Sequence, residues 1–250
     1  MIASGNGLPI AQTSWNALPT KLQILIVVLA AIAVLILCWS SWKFANHMPD
    51  HGWIILAVWA FVTFPFFINL PQIETNISFG ETYLMAIAFT CGPAICIVAT
   101  ALYAVLSLLL TTRSIKPFLL VFGFSVLVCD AFLYSMVFRF ITPPAGPGIG
   151  AYILPAAIVA LVSFLFTSLI AATAVSLRHG NRILPFWFKA YLPLLFNSMI
   201  AAGSAACIAV WSYRSPIMPL AFAPAIGIMW WWTRLHGKRL MRKAPLEQSL

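Results

Sequence analysis

Three nearly unbroken apolar runs, Ile24 to Cys38, Ala94 to Leu106 and Ile153 to Val162, set the first limit on what this chain can fold into. A surface helix of a water-soluble domain keeps one polar face, and a membrane barrel strand alternates apolar and polar residues over roughly ten positions. These runs do neither, so they need apolar surroundings on every side. In hydrocarbon each backbone polar group must be paired within the protein, which leaves helices as the spanning element. Composition agrees: 62% of the 250 residues are hydrophobic and 8% charged, where a soluble domain carries roughly a quarter charged residues. The expected fold class is therefore all-α, a polytopic transmembrane helical bundle of about seven helices.

Apolar length and helix breakers place the spans at Leu22 to Trp42, Trp53 to Leu70, Tyr83 to Leu110, Pro117 to Ile141, Tyr152 to Leu177, Ala190 to Ser212 and Pro216 to Leu235. Each is long enough, at about 1.5 Å per residue, for roughly 30 Å of hydrocarbon. The third is expected to be kinked or broken at Gly92-Pro93, because proline removes an N–H and crowds the preceding turn. Leu22 to Trp42 lacks a basic stretch before it and a small-residue cleavage site after it, so it is expected to be retained rather than removed as a signal peptide. The domain division is a flexible extracytoplasmic tail (1–20), one transmembrane helical domain (21–235) and a basic cytoplasmic tail (236–250). After Leu235 only fifteen residues follow, too few for a soluble output domain.

Charge placement fixes an expected orientation. With seven alternating spans and the C-terminus inside, eleven basic residues lie on the cytoplasmic side and three, Lys21, Arg139 and Arg214, outside, the bias that the positive-inside rule requires. The protein is then expected in the cell's inner membrane as a multi-pass protein, N-terminus outside and C-terminus in the cytoplasm. The net charge of +9 is scattered between apolar runs and gathered near the end of the chain. That pattern suits topology and lipid headgroups, and no nucleic-acid partner is expected. The tail residues Lys238, Arg239, Arg242 and Lys243 are candidates for contact with anionic lipid or a partner protein.

Asp130 is the most informative side chain, because thirteen residues separate it from the start of its span. A charge at that depth is costly, so it either faces a partner in the bundle interior or is neutral. Tyr134, one turn on, shares its face, while Arg139 projects from the opposite side. Asn197, on a small and polar stripe with Ala201 and Ser204, is the expected partner from another helix. The stretch from Pro71 to Thr82 holds Glu74 and Glu81 without a base. Glu81 is a candidate for a pocket entrance beside a broken helix, or else caps the next helix with Ser78.

Other motifs point away from chemistry. His47-Met48-Pro49-Asp50-His51 brings two imidazoles near a carboxylate, but Pro49 prevents the helix that would align them, and no metal site is expected. The five cysteines lie inside apolar runs without metal or redox spacing. No paired carboxylates or nucleophile set forms a plausible catalytic centre, so an enzyme is not expected, and neither is a cofactor.

Ile77-Ser78-Phe79-Gly80-Glu81-Thr82, followed by an apolar stretch to Gly92-Pro93 and a small-residue helix, resembles a pattern of two bacterial groups. One is the substrate-binding (S) component of energy-coupling-factor vitamin transporters. The other is the N-terminal integral-membrane sensory region of GGDEF and HD-GYP signalling proteins. The sensory regions are also similar through Ser163-Phe164-Leu165-Phe166-Thr167-Ser168, Arg178-His179-Gly180-Asn181-Arg182 and Trp187-Phe188-Lys189-Ala190-Tyr191-Leu192-Pro193. The resemblance to the sensory regions implies an orphan sensory or scaffold domain, without its own output domain, that binds a small ligand, a lipid or a signalling partner. The resemblance to S components implies a vitamin-like solute and a transporter subunit as partner. A structural membrane protein is the third expectation.

Overall fold

A computed structural model describes residues 15–46, 52–63, 67–70, 75–78, 80–111, 117–142, 150–180 and 182–212. Eight α-helices occur among the described residues: α1 (Thr20–Asn46), α2 (Gly52–Thr63), α3 (Gly80–Cys91), α4 (Pro93–Thr111), α5 (Pro117–Ile141), α6 (Gly150–His179), α7 (Ile183–Ala190) and α8 (Leu195–Ser212). An antiparallel pair of short strands, β1 (Phe67–Leu70) and β2 (Thr75–Ser78), joins α2 to α3 in the register Phe67↔Ser78 through Leu70↔Thr75. Of the expected tail 1–20, residues 1–14 lie outside the described residues, as do the His47–His51 motif, the span Pro216 to Leu235 and the basic residues Lys238, Arg239, Arg242 and Lys243, while Trp15–Ala17 form a 3-10 turn before α1.

Three helices, Thr20–Asn46, Pro117–Ile141 and Ala151–Arg178, are long and apolar enough to cross a membrane. They fit a membrane protein. On α1, Ile24, Val27, Val34 and Leu35 are each more than half exposed, a surface that hydrocarbon covers at no cost and water does not. The polar residues turn inward instead. Four buried hydroxyls, those of Thr63, Ser125, Ser135 and Ser168, donate to a carbonyl of their own helix three or four residues back.

Two expected spans are not single continuous helices. Trp53 to Leu70 divides into the 12-residue α2 and strand β1, and twelve helical residues reach only about 18 Å. Within Tyr83 to Leu110 the chain does break at Gly92, whose φ is +86°, but the halves fold back on each other. Cys96 Sγ donates to the Leu84 carbonyl at 3.4 Å, and Gly80 packs against the ring of Tyr103. A helix merely kinked at Gly92 would hold those pairs turns apart. In α3 every residue from Thr82 to Phe89 is buried, because α2, α4, α5 and α8 surround it. It is a half-length core helix, apolar all round for that reason.

The fold-back changes the alternation of the helices. Trp15 meets Phe118 at the start of α5, and Trp39 meets Phe132 further along it, so α1 and α5 run parallel. Alternating seven-span topology requires them antiparallel. Lys43 and Arg139 therefore lie at the same end of the bundle, not on opposite sides as the charge count suggested, and both line one cavity there. α6 returns antiparallel to α5, with Phe138 on Tyr152 and Asp130 opposite Ser163. The expected span Ala190 to Ser212 is α8 preceded by a 3-10 turn (Leu192–Leu194) and α7. Along α6, Trp187 Nε1 donates to Ser168 Oγ at 2.8 Å, and Ser198 reaches the Ala160 carbonyl at 3.5 Å.

Candidate functional site

The polar centre of the bundle forms where α3, α4, α5 and α6 meet. α5 supplies Asp130 and Tyr134, one helical turn apart on its buried face and exposed by only 7% and 4%. α6 supplies Ser163, whose hydroxyl donates to Asp130 Oδ2 at 2.9 Å. The other carboxyl oxygen, Oδ1, is buried with no hydrogen-bond partner among the described residues. Burying an isolated carboxylate costs several kcal/mol even after the surroundings relax. An oxygen left unpaired at this depth is a place for a proton, a cation or a ligand donor.

Tyr134 faces α4. Its hydroxyl lies 3.2 Å from Cys96 Sγ, and since the thiol donates to the Leu84 carbonyl, the phenol O–H donates to sulfur. The Thr100 hydroxyl is 3.9 Å from the same sulfur. This chain of weak hydrogen bonds ties α5 to α4 and α4 to α3. It holds Asp130's helix against the fold-back.

Glu81 lies in the first turn of α3 and is half-buried. Leu84 of α3 and Tyr134 of α5 both meet Cys96, and Glu81 and Asp130 each lie about one turn before those residues, so the bundle carries these two acids at a similar height. The fold-back accomplishes this: it carries the start of α3 into the bundle interior instead of leaving Glu81 beside a solvated outer loop.

Of the sequence candidates, Asp130 and Tyr134 share the buried face of α5, and Glu81 lies at a similar height on α3. Asn197 falls in the first turn of α8, and the hydroxyl that reaches Asp130 is that of Ser163. Ser163 could have been found from depth: it follows the start of α6 by thirteen residues, as Asp130 follows the start of α5, and antiparallel neighbours of similar length pair at mid-height. Cys96 and Thr100 had no distinguishing sequence signal, being small residues in an apolar run. Among the described residues no group of three or more His, Cys, Asp or Glu could hold a metal ion.

An aromatic layer separates this centre from the end of the bundle that carries Gly92. Phe89 and Phe138 stack with ring centroids 4.0 Å apart and planes at 18°, and Tyr152 stacks on Phe138 at 5.8 Å. Phe138 stands eight residues beyond Asp130 on the same helix, about 12 Å along its axis.

No protein-family model matches the chain, and neither a curated protein nor a solved structure is significantly similar to it.

Proposed function

We propose that this is a multi-pass inner-membrane protein that binds a small solute at the centre formed by Asp130, Glu81, Tyr134 and Ser163. The observation that carries this is the buried, unpartnered Oδ1 of Asp130. A residue retained only to bond helices together has its acceptors satisfied. The group that fits is a hydrogen-bond donor, neutral or cationic, presented by a solute whose apolar part lies against the aromatic layer. A half-length helix folded back inside a bundle also supports a solute site, since such discontinuous elements bring chain ends to the mid-membrane.

Two uses of such a site follow from the resemblances. As the solute-binding subunit of a transporter, the protein takes up its ligand only with an energising partner. As an orphan sensory domain, it reports occupancy to a separate signalling protein. The inward-turned acids favour the solute-binding use. The test is native mass spectrometry of the protein released gently from its membrane, wild type beside Asp130→Asn. A non-lipid solute at fixed stoichiometry, lost in the variant, supports the site. If the variant keeps the same solute and the same thermal stability, the assignment is wrong. Uptake that depends on an ATPase partner then separates transport from sensing, where a signalling enzyme is captured without uptake.

The orientation we propose follows from the parallel packing of α1 and α5. One end of the bundle carries Lys21, Arg178 and Arg182, and in sequence Arg113 and Lys116 fall between α4 and α5. The Gly92 end carries Lys43 and Arg139. The positive-inside rule then places the first end, with the N-terminus, in the cytoplasm. A final crossing by Pro216 to Leu235 would return the C-terminus to the cytoplasm too.

A further inference from the structure

We infer that the cavity at the Gly92 end of the bundle is a binding site for the anionic group, phosphate or carboxylate, of an amphiphilic ligand. Its volume is about 610 Å³, within the range of small-molecule sites. Lys43 from α1 and Arg139 from α5 both line it, and among the described residues no carboxylate does. Parallel packing of α1 and α5 brings these two cations to one opening. Lys43 Nζ lies 5.7 Å from the centre of the Trp39 ring, a cation–π contact that holds the ammonium at the cavity wall while leaving its N–H donors available. Arg139 is exposed at the last turn of α5, and its planar fork suits two oxygens of one phosphate or carboxylate.

Apart from Thr90 and Thr142, the other side chains of the wall are apolar or weakly polar. Trp39, Phe44, Phe89 and Phe138 surround the space below the two cations, so a ligand that fits carries its charge at one end and a hydrocarbon or aromatic body at the other. α4 begins at Pro93 on the cavity floor and α3 ends there at Cys91. Their opposed dipole ends offset one another, which leaves the attraction for an anion to the two side chains. The stacked pair Phe89–Phe138 closes the floor, so this site is distinct from the acidic centre beneath, whose residues would repel the same ligand. It stands whether or not the Asp130 assignment does.

Two sources offer this chemistry: an anionic phospholipid headgroup drawn from the bilayer, or a soluble organic or inorganic anion. The experiment uses the full chain in nanodiscs of phosphatidylcholine with a minor fraction of phosphatidylglycerol, and native mass spectrometry counts the retained lipids. Wild type is expected to retain phosphatidylglycerol over phosphatidylcholine, with selectivity falling roughly tenfold in Lys43→Gln/Arg139→Gln, the order expected for losing charge-assisted contacts. Displacement of that lipid by millimolar inorganic phosphate would assign the site to a soluble anion; resistance to it would assign the site to lipid. Thr142→Glu, which keeps both cations and adds a carboxylate at the wall, is expected to reduce selectivity likewise, and guards against a folding defect in the double variant. Equal phosphatidylglycerol retention by wild type and both variants overturns the inference.

Discussion

Gly80→Ala tests the fold-back of α3 on α4 directly. A Cβ at position 80 would stand 2.6 to 2.7 Å from Cε2, the hydroxyl oxygen and Cζ of Tyr103, about 1 Å inside ordinary contact between heavy atoms. Tyr103 is only 2% exposed, and its ring packs against Phe61 at 5.7 Å, so it has little room to yield. Overpacking of this kind costs about 1–3 kcal/mol. Replacing glycine by alanine returns up to about 1 kcal/mol within a helix, less at its first residue. The expected net loss is therefore about 1–2 kcal/mol, read as a fall of a few degrees in the unfolding midpoint in detergent or nanodiscs. Tyr103→Ala makes room, so the double variant is expected to be more stable than the sum of the single losses by about 1 kcal/mol or more. If α3 and α4 formed one continuous span, positions 80 and 103 would lie about 35 Å apart. Gly80→Ala without effect, and additive with Tyr103→Ala, refutes the fold-back.

Further expectations concern single interhelical bonds and sidedness. Ser40→Ala removes a 2.7 Å bond from α1 to the Ala94 carbonyl and is expected to lower stability by about 1 kcal/mol, with Ser40→Thr retaining part of it in the same melting assay. Trp187→Phe keeps the ring packing on Phe164 but loses the donor to Ser168, so proteolysis of the α7 region is expected to speed up while global unfolding changes little. Ser163→Ala is expected to destabilise by about 1–3 kcal/mol, and Ser163→Ala with Asp130→Leu by less than the sum, since both partners are then apolar. Asn46→Cys is expected to react with a membrane-impermeant maleimide from outside the cell, and Thr20→Cys only after lysis; the reverse pattern rejects the orientation proposed above.

The long helices were plain in the sequence because apolar runs of that length have few alternatives. Pro117 to Ile141 coincides with α5, and the expected first and fifth spans differ from α1 and α6 by only a few residues at each end. What failed was the step from apolar length to one continuous helix. Phe67 to Leu70 is as apolar as a helix end needs to be, yet it pairs with Thr75–Ser78, and hydropathy has no term for that. α3 is apolar because protein surrounds it, a composition that lipid-facing residues share, so burial in the bundle and burial in the bilayer look alike. Charge could not correct the error. Exchanging Lys21 for Lys43 as the outer residue converts the alternating topology into the observed packing, and the bias stays eleven to three if Pro216 to Leu235 crosses. Within the site, Asp130 and Tyr134 were legible from depth and helical spacing, and Glu81 from its place beside the break. Ser163 had no signal beyond its depth, and the packing of α6 against α5 is what brings it to Asp130.

The left-handed conformation at Gly92 bears on how the protein is made as well as on how it is held together. Insertion machinery that sorts segments by hydrophobicity meets residues 83–110 as one long stretch and has no means of sensing the turn. The turn itself rests on a residue without Cβ, since it needs φ of +86°, so hydrophobicity alone does not mark where α3 ends and α4 begins.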